Sequence, residues 1–124
     1  LILLLEPPES IAKKVKRAVT DAEAEVRYDR AAKPGVSNLL ELLAVATGGS
    51  PVELAERYTQ YGPLKADAAD AVVEFLRPVQ QRYAELAEDP GYVRGVLEKG
   101  AAKAEAVASE TLRQARDAMG LLPR

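Results

Sequence analysis

Apolar residues recur along this chain at three- and four-residue spacings, interrupted by breaks rich in proline and glycine. That period lines one side of an α-helix and predicts a helix wherever it is sustained. Residues 1–5 form a first apolar run, read as a short buried strand or an extended segment and broken by Glu6-Pro7-Pro8. A first helix is predicted over about 8–19, with Ile11, Val15, Ala18 and Val19 on one face. Lys13, Lys14, Lys16 and Arg17 fall on the opposite arc at 100° per residue. From Asp21 to Gly35 the periodicity is weak and the stretch ends in Lys33-Pro34-Gly35, which reads as an ordered loop.

A short helix follows, with Leu39, Leu40, Leu43 and Ala46 as core candidates and Gly48-Gly49 as its stop. Ser50-Pro51-Val52-Glu53 predicts another helix start. Ser50 can accept from the Glu53 amide, Glu53 can reach back, and proline suits the first helical position. This helix is expected to end near Tyr58, before the turn at Tyr61-Gly62-Pro63. A long helix is predicted over about 64–87, striped by Leu64, Ala68, Val72, Phe75, Val79, Tyr83 and Leu86. Pro78 lies inside it and is expected to kink it. After Asp89-Pro90-Gly91 a final helix is predicted over about 90–119, with Val93, Val96, Leu97, Ala101, Ala104, Ala108, Leu112 and Ala115 inward. Gly120 would stop it and Pro123 would prevent its resumption. With strand signals nearly absent, the expected fold is all-α: a small bundle of about five helices in a single domain, 1–124, with a short extended N-terminal segment.

Composition narrows the chemistry. The 124 residues include no cysteine and no histidine, which excludes disulfides, thiolate catalysis, zinc-thiolate sites and a Ser-His-Asp triad. Absence of cysteine suits a cytoplasmic setting. The run 1–5 is too short to span a membrane and lacks the charged start of a signal peptide. The net charge is −2, so any basic surface must be local. It is: residues 10–35 hold seven Lys and Arg against four Asp and Glu, a net +3 in a chain otherwise acidic.

Two readings of that basic arc stand side by side. It can hold nucleic-acid phosphates, or it can be a solvated helix face whose cations favour the helix C-terminus. Arg27-Tyr28-Asp29-Arg30 with Lys33 could likewise form a recognition loop, an aromatic stacking on a base between cations. The structural alternative is preferred for two of its members: Asp29 capping a turn or pairing with a neighbouring arginine, and Tyr28 in the core. Asp67 and Asp70, or Glu85, Glu88 and Asp89, lack the spacing of a calcium loop and read as solvated faces, so no metal site is expected. No glycine-rich phosphate loop follows a strand, and no catalytic residue is assigned.

Several runs together resemble a known family. They are Ile11-Ala12-Lys13-Lys14-Val15-Lys16-Arg17-Ala18-Val19-Thr20-Asp21, Val26-Arg27-Tyr28-Asp29, Lys33-Pro34-Gly35-Val36-Ser37-Asn38-Leu39-Leu40, Pro78-Val79-Gln80-Gln81-Arg82-Tyr83 and Ala118-Met119-Gly120-Leu121. In this order they are similar to bacterial tryptophanyl-tRNA synthetases, over essentially the whole chain. The resemblance implies a C-terminal helical portion that begins just after a Lys-Met-Ser-Lys-Ser-type loop. An upstream Rossmann domain would bind ATP with Mg2+ and tryptophan. It further implies a cytoplasmic homodimer acting on tRNA(Trp), with a final helix, about 90–119, packing toward the catalytic domain. The segment itself is then non-catalytic and needs no cofactor. On this resemblance Lys13, Lys14, Lys16 and Arg17 become tRNA-binding candidates, with Arg27, Arg30 and Lys33 as weaker ones. A stand-alone helical interaction or dimerisation module is the alternative.

Overall fold

The computed structural model describes residues 1–23 and 25–121; the expected stop at Pro123 lies outside them. Among the described residues there are five α-helices and no strand: α1 (Pro8–Lys16), α2 (Pro34–Thr47), α3 (Pro51–Ala55), α4 (Tyr61–Glu88) and α5 (Pro90–Met119). Four of the five have proline as their first residue, where a missing N–H costs nothing because that donor has no intrahelical partner. Gly48 and Gly120 end α2 and α5 in the left-handed conformation, at φ of 75° and 69°. The chain resolves into two compact units, Leu1–Arg82 and a second beginning at Tyr83.

The first unit holds the core. Val36, Leu39, Leu40 and Leu43 of α2 pack with Val15 of α1, Leu54 of α3, and Leu64 and Ala68 of α4. A second cluster joins Ile11 of α1 to Val72 and Leu76 of α4. Ile2 is partly buried against both clusters. Leu1, Leu3, Leu4 and Leu5 are exposed and residues 4–5 form a turn, with the Glu6 amide donating to the Leu3 carbonyl at 3.3 Å, so residues 1–5 are neither a buried strand nor extended throughout. Glu6 fastens this segment: its carboxylate accepts from the Leu3 amide at 2.8 Å and from the Ser10 hydroxyl at 3.0 Å.

Three helix expectations need correction. α1 stops at Lys16, because Arg17 and Ala18 turn back to the carbonyls of Lys13 and Val15. Val19 therefore leaves the apolar face and is 86% exposed. Its carbonyl oxygen instead lies against the start of α2, where a Cβ on Gly35 would collide with it. Ser50 sits at the cap of α3 in an extended conformation but makes no side-chain capping bond, and α3 ends at Ala55.

The stripe of α4 also takes the other of two allowed steps. From Val72 both +3 and +4 stay near one helix face. The +4 residue Leu76 is buried, because Ile11 packs there, whereas Phe75, Val79 and Tyr83 are exposed. In α5, described by itself, no residue is buried, so its expected inward positions are solvent-facing here. Its start is capped by Asp89, whose carboxylate accepts from the Tyr92 amide at 2.9 Å. Among the described residues no helix is long and apolar enough to cross a membrane.

Candidate functional site

Ile11 and Val15 anchor α1 to the core, and that orientation turns Lys13, Lys14, Lys16 and Arg17 to solvent. The four are not equivalent. Lys14 pairs with Glu6 at 2.6 Å and donates to the Leu1 carbonyl at 3.1 Å, and this bond holds the Glu6 carboxyl below its usual range. The side chains of Lys13, Lys16 and Arg17 have no hydrogen-bond or ion-pair partner among the described residues. Positions 13, 16 and 17 are spaced i, i+3, i+4 and so share one side of the helix and its C-cap. They gather positive charge at a helix C-terminus, where the macrodipole favours it.

The loop cations are bound within the protein. Arg27 pairs with Glu25 at 2.7 Å and with Asp29 at 3.5 Å. Arg30 donates to Glu41 at 2.6 Å, and the Tyr28 hydroxyl donates to the same carboxylate oxygen at 2.8 Å. The two hydrogen bonds, Tyr28 first, hold the Glu41 carboxyl below its ordinary value. Asp29 accepts from the Ala32 and Ala31 amides at 2.9 and 3.1 Å, so it both caps its turn and meets Arg27. Tyr28 packs against the core. Both residues follow the structural alternative.

Lys33 departs furthest from its expected role. Its side chain is only 1% exposed, with Glu23 at 2.8 Å, Asp21 at 3.0 Å and the Tyr61 hydroxyl at 3.2 Å from Nζ. A cation enclosed in this way cannot reach a polyanion. Burial alone would pull its pKa down, but the hydrogen bonds to Glu23 and Asp21 outweigh burial and raise it. On Asp21 the Tyr61 hydroxyl, donating at 2.5 Å, is the largest influence. With Lys33 it keeps the carboxyl well below the usual aspartate range. Tyr61 lies 40 residues from Asp21, and no local sequence signal pairs them.

Lys13, Arg17 and Asn38 also line an open cleft of about 610 Å³, together with Leu1, Ile2 and Leu42. Asn38 is exposed, and its side-chain amide has no partner among the described residues. Among the described residues no group of three or more Asp or Glu side chains is placed to hold a metal ion.

The first unit is all-α and presents three cations, Lys13, Lys16 and Arg17, with no partner among the described residues. Residues 1–77 match the family described as tRNA synthetases class I (W and Y). The tryptophan–tRNA ligase 1 of Streptomyces coelicolor is 54% identical over 123 residues, 99% of this chain and 37% of that protein. The tryptophan–tRNA ligase of Mycobacterium leprae is 45% identical over 126 residues, again 37% of its length. The crystal structure of tryptophanyl-tRNA synthetase from Mycoplasma pneumoniae superposes with a TM-score of 0.81 at 27% identity, over 98% of this chain and 38% of that one. The chain belongs to the class I tRNA synthetases of the tryptophan and tyrosine type. It spans little more than a third of the length of these relatives.

Proposed function

We propose that the chain is the C-terminal helical part of a tryptophan–tRNA ligase, and that α1 meets the backbone of tRNA(Trp) through Lys13, Lys16 and Arg17. The observation that carries the reading is that these three cations face solvent together with no acidic partner among the described residues. Lys14 joins them when it exchanges Glu6 for phosphate. Arg27 and Arg30 are weaker candidates because each is already paired. Each phosphate neutralised by a cation releases condensed counterions, which supplies affinity without base specificity. The relatives named as tryptophan–tRNA ligases support the synthetase context.

In the intact enzyme, a cytoplasmic homodimer, an upstream Rossmann domain activates tryptophan with ATP and Mg2+. This segment is non-catalytic: it contributes binding and orientation, and α5 packs toward the catalytic domain. The test is a split between the two half-reactions in the full-length enzyme. The triple variant Lys13→Ala/Lys16→Ala/Arg17→Ala should raise KM for tRNA in aminoacylation by at least about tenfold. Its tryptophan-dependent pyrophosphate exchange, which needs no tRNA, should stay at the parental rate. Loss of both half-reactions in a folded variant, or of neither, overturns the reading.

A further inference from the structure

Residues 1–6 form no helix or strand, yet side chains from two helices grip their backbone. Gln80 of α4 donates to the Leu4 carbonyl at 2.8 Å and to the Glu6 carbonyl at 3.1 Å. Lys14 of α1 takes the other end, donating to the Leu1 carbonyl at 3.1 Å and to the Glu6 carboxylate at 2.6 Å. The two grips differ in what can release them. Gln80 is neutral, and a polyanion has no charge to seek there. Lys14 is a cation with a half-open side chain, one i, i+3 step from Arg17. Leu1 and Ile2 line the same cleft as Lys13, Lys14 and Arg17, so the segment lies along the edge of the cationic face. We infer that Lys14 is an exchange point: a phosphate of the bound RNA takes its ammonium from Glu6 and Leu1, and residues 1–3 loosen while Gln80 keeps residues 4–6 on α4. The inference rests on the proposed tRNA contact of α1 and adds to it a response of the protein.

The exchange is nearly balanced, because Lys14 leaves one anion for another. An ion pair this open to water is weak, so a phosphate competes with it on equal terms. Glu6 is not stranded afterwards. Its carboxylate still accepts from the Leu3 amide at 2.8 Å and from the Ser10 hydroxyl at 3.0 Å. The Leu1 carbonyl returns to water. Breaking the pair subtracts from RNA affinity, which makes Glu6 a competitor built into the chain. Lys13, Lys16 and Arg17 meet phosphate without that cost, having no partner among the described residues. Linkage makes the effect reciprocal: RNA weakens the hold on residues 1–3 by the factor by which that hold weakens RNA binding.

The experiment uses the full-length enzyme and an unmodified tRNA(Trp) transcript. Glu6→Gln keeps a carbonyl acceptor for the Leu3 amide and removes the competing charge. It should tighten tRNA binding about two- to fivefold, the range for a partly exposed ion pair. In a Lys14→Ala background the same substitution should change nothing, because the cation it would free is gone. Saturating tRNA should speed amide hydrogen exchange in residues 1–3 of the parent and have no such effect in Lys14→Ala. Parental affinity in Glu6→Gln, equal tightening with and without Lys14, or unchanged exchange in the parent overturns the inference. Equal tightening would mark a general charge effect of Glu6. If Lys13→Ala/Lys16→Ala/Arg17→Ala still weakens binding in that case, the α1 contact stands and the exchange at Lys14 alone falls. If that triple variant binds like the parent, the underlying contact falls with it.

Discussion

Lys33 Nζ stands 3.0 Å from Asp21 Oδ1, and the Tyr61 hydroxyl reaches the same oxygen at 2.5 Å. Asp21 in the loop after α1, Lys33 at the N-cap of α2 and Tyr61, the first residue of α4, thus meet at one carboxylate oxygen. The second oxygen, Oδ2, is buried without a partner among the described residues, so Asp21 joins the cluster through Oδ1, while Lys33 also pairs with Glu23 at 2.8 Å. Lys33→Met should therefore destabilise the fold, because it leaves the Asp21 charge without its buried cation. Tyr61→Phe should cost less, since Lys33 remains. Urea unfolding followed by helical circular dichroism orders the two variants; a Lys33→Met protein as stable as the parent contradicts the role assigned to this cluster.

The same cluster sets an acid limit. The folded-state pKa of Asp21 is held below its ordinary value, by Tyr61 first and Lys33 next, so its stabilisation is complete above about pH 4. As pH falls through and below that value, the unfolded chain binds the proton more readily, and the contribution drains away. Lys33 has its pKa raised by Glu23 and Asp21 against the effect of burial. Its contribution persists through neutrality and is lost only as pH rises above about 10.4. The urea midpoint should thus fall steeply between about pH 4 and pH 2. Asp21→Asn should lower the midpoint at pH 7 and flatten that fall. A parental slope in the variant would assign acid sensitivity to other carboxylates.

Gly35 is required by a backbone contact. A Cβ there meets the Val19 carbonyl, which is main chain and cannot rotate away. Gly35→Ala should cost about 1–3 kcal/mol, the range for overpacking. Gly62 in α4 has no heavy atom within 4 Å of an added Cβ, so Gly62→Ala should change stability by less than about 1 kcal/mol. Equal effects of the two substitutions would contradict the Val19 contact.

Burial sets a second contrast within the first unit. Leu40 is fully buried, and Leu40→Ala should cost about 2–5 kcal/mol. Val52 is exposed on α3, and Val52→Ala should cost less than about 0.5 kcal/mol. Denaturant midpoints of the two variants measure the difference.

Helix periodicity and proline position made the five helices legible, because both act locally. What stayed hidden was decided across distance. Val72 could be followed by Phe75 or Leu76, and only the approach of Ile11 selects Leu76. The apolar residues of α5 carry a helical period, yet period says nothing of whether a partner is present, and none of them is buried. At the candidate site the basic arc of α1 was readable from spacing. Lys33, equally charged, turned out enclosed because Tyr61 and Asp21 converge on it from distant parts of the sequence. Charge alone could not separate an available cation from one already used, as Arg27 and Arg30 also show.

The central claim is that the unpaired cations of α1 contact tRNA phosphates. Its most direct test is the affinity of full-length Lys13→Ala/Arg17→Ala for tRNA(Trp), measured by filter binding across a salt series. Two lost phosphate contacts should weaken binding and flatten the plot of log affinity against log salt by about 1–2. A folded variant with parental affinity and parental slope would contradict the claim and return the α1 face to a solvated surface.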